Sequence, residues 1–140
     1  MLRVMGESVL VDAGFIVALL SRRDAHHKWA ALQAPRLAPP WRTCEAALSE
    51  AFHLLGAQGM PALASLLRRR AVIASFELAA NIELVVKLMQ KYSDTPMSLA
   101  DACLVRMTEI IAGSLILTTD GDFRTYRRFG RQIIPCILPT

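Results

Sequence analysis

The apolar positions of this chain switch between a strand period and a helix period. Ser8-Val9-Leu10-Val11-Asp12 is a β-branched apolar run that stops abruptly at a carboxylate. The small-residue turn Ala13-Gly14 and a second apolar run with helical spacing follow, to about Ser21. A charge set between two segments that both favour burial belongs where a strand hands over to a helix. In open α/β sheets, ligands bind in the crevice at such strand ends. A second run, Ser114 to Thr119, ends in the same way at Asp120.

Between these two landmarks the pattern predicts helices. Asp24 is a candidate cap for a helix to about Ala34. Pro35, Pro39 and Pro40 bracket Arg36-Leu37-Ala38, read as a short strand or connector. A helix runs over 43–55, with Thr43 as N-cap and Gly56 as C-cap. The next runs from Met60 to Arg70, with Pro61 in its first turn. Ala71–Ala74 is a strand. Residues 78–92 form an amphipathic helix with Ile82, Val85, Val86 and Met89 on one face. After the loop 93–96, Ser98 opens a helix that Gly113 closes. Asp122–Phe129 reads as a short basic helix and Ile133–Leu138 as a last strand. Strands alternating with helices predict an α/β fold with a central, mostly parallel sheet flanked by helices. No repeat or linker divides the chain, so residues 1–140 are read as a single domain.

Composition narrows the possibilities. With 140 residues, 54% hydrophobic and 20% charged, the chain has enough apolar surface for a real core. No stretch reaches the roughly 18 apolar residues of a membrane span. Arg3 precedes an apolar run, but Glu7 and Asp12 interrupt it, so a signal peptide is not expected. Cys44, Cys103 and Cys136 are odd in number, widely spaced and set in apolar context, which points to free thiols in a reducing cytoplasm. His26, His27 and His53 lack metal-ligand spacing. The formal charge of +4 suits a nucleic-acid partner without requiring one.

The chemistry lies in carboxylates. Asp12 and Asp120 follow apolar strand runs. Asp101 sits in the first turn of an otherwise apolar helix. Glu50 is flanked by Ala47, Leu48, Ala51, Phe52 and Leu54 on a helix that is apolar nearly all round, which predicts burial. A buried lone carboxylate needs a partner or a metal, and no lysine or arginine lies within Ala46–Gly56. Each acid also has a purely structural reading. Asp12 and Asp120 fit as helix caps, Ser98–Asp101 as a capping box, and Glu50 as a solvent-facing acid or the partner of a distant arginine. Taken together, they are the oxygen donors a hard divalent cation needs.

The motifs Val9-Leu10-Val11-Asp12, Leu48-Ser49-Glu50, Met97-Ser98-Leu99-Ala100-Asp101-Ala102 and Leu117-Thr118-Thr119-Asp120-Gly121-Asp122-Phe123 resemble, in this order, those of the PIN-domain family, including its VapC-type toxins. The resemblance spans residues 8 to about 138. It implies a PIN-like α/β/α sandwich and a ribonuclease dependent on Mg2+ or Mn2+. Asp12, Glu50, Asp101 and Asp120 match the family's acidic positions, both catalytic and metal-holding. Asp122 matches an accessory acid and is the second choice for the last ligand. Glu45 lies five residues from Glu50 and points elsewhere, and Asp94 is held in reserve. Thr118 is expected to orient a ligand or the substrate. The resemblance also implies an RNA substrate, a small antitoxin partner and a homodimer, built on apolar surface around Phe15, Leu19, Leu20 and Trp29.

Arg124, Arg127, Arg128 and Arg131 recur at helical spacing beside Asp120. They read either as a basic rim for RNA phosphates or as a solvated helix face whose aromatics Phe123, Tyr126 and Phe129 pack on the core. Arg22, Arg23 and Lys28 form a second basic group, and Arg68–Arg70 complement a helix end. The leading reading is the toxin nuclease of a type II toxin–antitoxin pair. A housekeeping RNA-processing nuclease and a non-catalytic RNA- or protein-binding module on the same fold remain open. A phospho-receiver would need paired acids after the first strand and a late lysine, and a haloacid-dehalogenase-type site would need Asp-x-Asp; neither pattern occurs.

Overall fold

The computed structural model describes residues 7–140, so the segment around Arg3 lies outside the described residues. The chain runs β1 (Ser8–Val11), α1 (Ala13–Leu20), α2 (His27–Gln33), β2 (Trp41–Thr43), α3 (Glu45–Arg68), β3 (Val72–Ala74), α4 (Leu78–Lys91), α5 (Leu99–Ile110), β4 (Ser114–Leu117), β5 (Arg127–Arg128), β6 (Gln132–Ile133) and β7 (Cys136–Ile137). Five strands pair in parallel in the order β3-β2-β1-β4-β7. The chain winds from β1 out to β3, then returns to the other side of β1 with β4. The boundary between β1 and β4 is therefore the topological switch point.

Side-chain alternation along the two central strands builds a core on each face of the sheet. Val9, Val11, Leu115 and Leu117 meet Phe15, Ile16, Ala18, Leu48 and Leu63 of α1 and α3. Leu10 and Ile116 meet Val85 of α4 and Ala102, Cys103 and Met107 of α5. Each such side chain taken fully from water contributes about 1.5–3 kcal/mol. This is the expected helix–sheet–helix sandwich.

Several local expectations are corrected. β2 lies at Trp41–Thr43, while the bracketed segment Arg36–Ala38 begins inside a tight helical turn at Ala34–Arg36. Thr43 is a strand residue, and Cys44 holds the N-cap position of α3 without a side-chain cap. Asp24 does not cap α2; its carboxylate accepts from His26 N at 2.9 Å, one residue ahead of the helix. Along α4, Val85 is buried and Met89 packs on the core as expected, but Ile82 and Val86 are 42% and 38% exposed, and Leu78 and Leu88 pack inward in their place. The predicted basic helix 122–129 is one tight turn at Gly121–Arg124 followed by a hairpin of β5 and β6. The predicted last strand splits at Ile134-Pro135, its first part entering the hairpin and its second pairing with β4.

Gly56 does end a helix, and a second helical segment restarts at once to make the long, kinked α3. Its φ of 67° and ψ of −170° lie in a region open essentially to glycine alone. A Cβ there would touch nothing, so the cost of a side chain is purely in the backbone. Gly56→Ala is expected to destabilise the protein by about 1–3 kcal/mol in urea unfolding; an unchanged midpoint would show that α3 needs no such kink.

Candidate active site

The register of the central strands builds the site. Val11 lies opposite Leu117, so the next residues, Asp12 and Thr118, emerge side by side at the carboxyl edge. The Thr118 hydroxyl donates to Asp12 Oδ2. It also accepts from Asp120 N at 2.9 Å. One buried hydroxyl thus ties the two strand-end acids together. Asp12 Oδ1 accepts from Phe15 N at 2.8 Å and caps α1. Asp120 Oδ1 accepts from Asp122 N at 2.9 Å and caps its own turn. Asp101 completes a capping box with Ser98: Asp101 N donates to Ser98 Oγ at 3.0 Å, and Ser98 N donates to Asp101 Oδ2 at 3.2 Å. The capping readings are correct for all three aspartates. Capping orients a carboxylate without neutralising it, so these acids remain able to serve a cation.

Asp12, Glu50, Asp101 and Asp120 line one cavity of about 110 Å3, with Ala13, Gly14 and Ala100 as its small-residue walls. A Cβ on Gly14 would stand 2.5 Å from Thr119 Oγ1 and 3.5 Å from Asp12 Oδ1, so the turn after β1 must be free of side-chain bulk there. A larger cavity of about 410 Å3, between Leu20–Arg23 and Leu54–Gly59, contains no acid. Of these two cavities, the small one is the one lined by acids.

Burial pushes the Asp12 carboxyl up to about 6, and the charges of Asp120 and Asp101 add to the shift. The bonds from Thr118 and Phe15 N oppose it. Asp101 is also raised, by burial and then by Asp120, against the bonds from Ser98 and Tyr126. Acids whose charge is disfavoured by burial and, to a lesser degree, by one another are a donor set that lacks positive charge. Among the described residues no three such side chains stand ready in ligating geometry. Mg2+ needs only one or two carboxylates and keeps waters for its remaining positions, so the donor set suits it.

Some expectations change here. Glu50 is exposed at the cavity rim, so its lack of a local cation needs no explanation. Thr118 is fully buried, with its hydroxyl bonded to the Asp12 carboxylate and to Asp120 N. Asp122, Asp94 and Glu45 do not line the cavity. Arg124, Arg127 and Arg128 share no helical face. Arg127 folds back onto the carbonyls of Arg124, Thr125 and Tyr126 at 2.6, 3.2 and 3.0 Å. Phe15 is fully buried in edge contacts with Trp29 and Trp41, so it offers no docking surface. Of the three aromatics after Asp120, Phe123 and Tyr126 are core and Phe129 is 56% exposed.

Two residues of the site are not foreseen by the sequence pattern. Thr43 Oγ1 donates to Val11 O at 2.7 Å, pinning the end of β1 just before Asp12. Tyr126 OH donates to Asp101 Oδ2 at 3.3 Å. The one signal for Tyr126 is its place shortly after Asp120, in a segment whose spacing reads as helix.

A carboxyl raised above its ordinary 3.8 by burial stabilises the folded state below that pH and loses the contribution as pH rises through about 6. Without divalent ions, wild type is therefore expected to lose roughly 3 kcal/mol relative to Asp12→Asn between pH 4 and 7. The amide keeps the helix cap and carries no charge. Urea unfolding of both proteins in EDTA across that range is the measurement; parallel pH curves would contradict the burial of Asp12.

The PIN domain model matches residues 9–128. Among solved structures, Mycobacterium tuberculosis VapC20, described as a sarcin-ricin loop cleaving toxin, superposes with a TM-score of 0.76 at 23% identity, covering 84% of this chain and 94% of that one. No curated protein matches the sequence. With the fold, the strand-end acids and a family match over most of its length in agreement, the chain belongs to the PIN-domain family.

Proposed function

We propose that this protein is a divalent-metal-dependent endoribonuclease that hydrolyses RNA phosphodiester bonds and acts as the toxin of a type II toxin–antitoxin pair. The observation that carries the reading is the small cavity lined by Asp12, Glu50, Asp101 and Asp120 at the switch point of the sheet. Asp12, Asp101 and Asp120 would hold Mg2+ or Mn2+, with Glu50 at the cavity rim as a further oxygen donor. Such an ion would lower the pKa of water and neutralise charge on the phosphodiester. The chain's own residues fix the carboxylates, through Thr118, Ser98 and the α1 N-terminus, and leave the rim open to an extended strand. Arg124, on the turn after Asp120, is exposed and offers a phosphate contact. Arg127 and Arg128 are half-buried and contribute less.

The toxin half of the reading is supported by the likeness to VapC20, itself a sarcin-ricin loop cleaving toxin. A small antitoxin is the partner we propose. The cavity between α1 and the kink of α3 gives it apolar wall from Leu20, Leu54 and Leu55, with Arg22 and Arg23 at the lip. The exposed Ile82 and Val86, one turn apart on α4, offer apolar surface to a second copy. The cysteines are free, as a reducing cytoplasm would keep them. Among the described residues no helix is long and apolar enough to cross a membrane.

Cleavage of a mixed-sequence RNA in Mg2+ or Mn2+, abolished by EDTA, is the expected behaviour. Asp12→Asn and Asp101→Asn should each lower the rate by about 100-fold or more, the order of loss when one group that stabilises transition-state charge is removed. Cleavage that persists in both variants would contradict the assignment.

A further inference from the structure

We infer that Tyr126 is a positioning residue of the acidic cavity: its hydroxyl sets the Asp101 carboxylate so that one oxygen faces a divalent ion. The inference rests on the cation reading of that cavity.

Tyr126 is completely buried. Its ring is held edge-on by Tyr92, at 5.1 Å and 68°, and by Phe123, at 5.4 Å and 88°. The backbone beneath it is held as firmly. Tyr126 N donates to Asp122 O at 3.2 Å, and Arg127 N donates to the Tyr92 hydroxyl at 2.9 Å. The Arg127 guanidinium clasps three successive carbonyls, that of Tyr126 among them. A ring so confined has one polar atom, and that atom reaches Asp101 Oδ2 at 3.3 Å.

Ser98 N comes to the same oxygen, Oδ2, at 3.2 Å. With both donors on Oδ2, the other oxygen, Oδ1, is the one left to serve an ion. The two donors also differ in origin. Ser98 belongs to the same helix end as Asp101 and would cap it in any fold. Tyr126 lies just ahead of the hairpin, 25 residues away, in the segment that follows the strand-end acid Asp120. The bond therefore couples the orientation of Asp101 on α5 to the loop that carries Asp120. A buried phenol needs only some acceptor; this one is aimed at a carboxylate that lines the cavity. Outer partners of this kind orient metal-holding side chains, and their loss typically weakens metal affinity or activity by about 10–100-fold.

The test uses the full chain and Mn2+ alone, read by water-proton relaxation, for wild type, Tyr126→Phe and Asp101→Asn, beside RNA-cleavage kinetics and thermal melting. Tyr126→Phe keeps the ring and its edge contacts. It is expected to melt as a folded protein, to bind Mn2+ about tenfold more weakly, and to lose kcat at limiting Mn2+ with KM for RNA unchanged. Raising Mn2+ should restore its kcat. Wild-type Mn2+ affinity in Tyr126→Phe, with affinity lost in Asp101→Asn, would overturn the positioning role and leave the cation site standing. Wild-type Mn2+ affinity in Asp101→Asn would overturn both, since Tyr126 would then have no ligand to position. If Tyr126→Phe melts early, its Mn2+ binding is read below its melting temperature, on the folded protein: weakened binding supports the positioning role and wild-type binding overturns it.

Discussion

The parallel, in-register pairing of β1 with β4 is the constraint from which the site follows. Ser8 to Val11 lie opposite Ser114 to Leu117, residue for residue. That register sets Asp12 against Thr118 just past the last pair. A shift of β1 by one residue against β4 would move Leu10 out of the core it shares with Ile116 and carry Val9 and Val11 to the opposite face. The apolar cores on both faces therefore fix the register, and the register fixes the Thr118–Asp12 bond. Stability of the sandwich and geometry of the site are one condition.

The same economy holds at the helix ends. Asp12, Asp101 and Asp120 each do the structural work of a cap, and each lines the cavity. A cap takes hydrogen bonds from backbone N–H groups and leaves the charge in place. That charge is uncomfortable: burial and mutual repulsion raise the carboxyls of Asp12 and Asp101. The fold holds like charges against one another at its ligand crevice, and a divalent ion would relieve the repulsion.

The local signals of the sequence are reliable where they describe local structure. The run Val9–Val11 with its abrupt aspartate and the Ser98 capping box each involve neighbours in the chain, and each reading holds; the helix that Ser98 opens ends at Ile110, with Ile111 extended, ahead of the stop expected at Gly113. The misreadings depend on distant partners. Trp41 and Arg42 follow two prolines and carry no strand signal, and Thr43 reads as a helix cap; the three form a strand because β1 and β3 lie on either side. The arginines after Asp120 recur at helical spacing, yet Phe129 and Gly130 both take positive φ and turn the chain into a hairpin. Glu50 lies on an apolar helix, but whether a helix position is covered depends on what packs over it, and nothing covers Glu50. Tyr126 is legible as a core aromatic; that its hydroxyl meets Asp101 depends on the hairpin path that the helical reading conceals.

The most direct test of the central claim is a crystal structure of the protein grown with Mn2+, read by anomalous scattering. The account predicts a Mn2+ peak in the cavity between Asp12, Asp101 and Asp120, with Glu50 turned toward it. A well-ordered cavity with no peak, or Mn2+ bound only away from these acids, would contradict it.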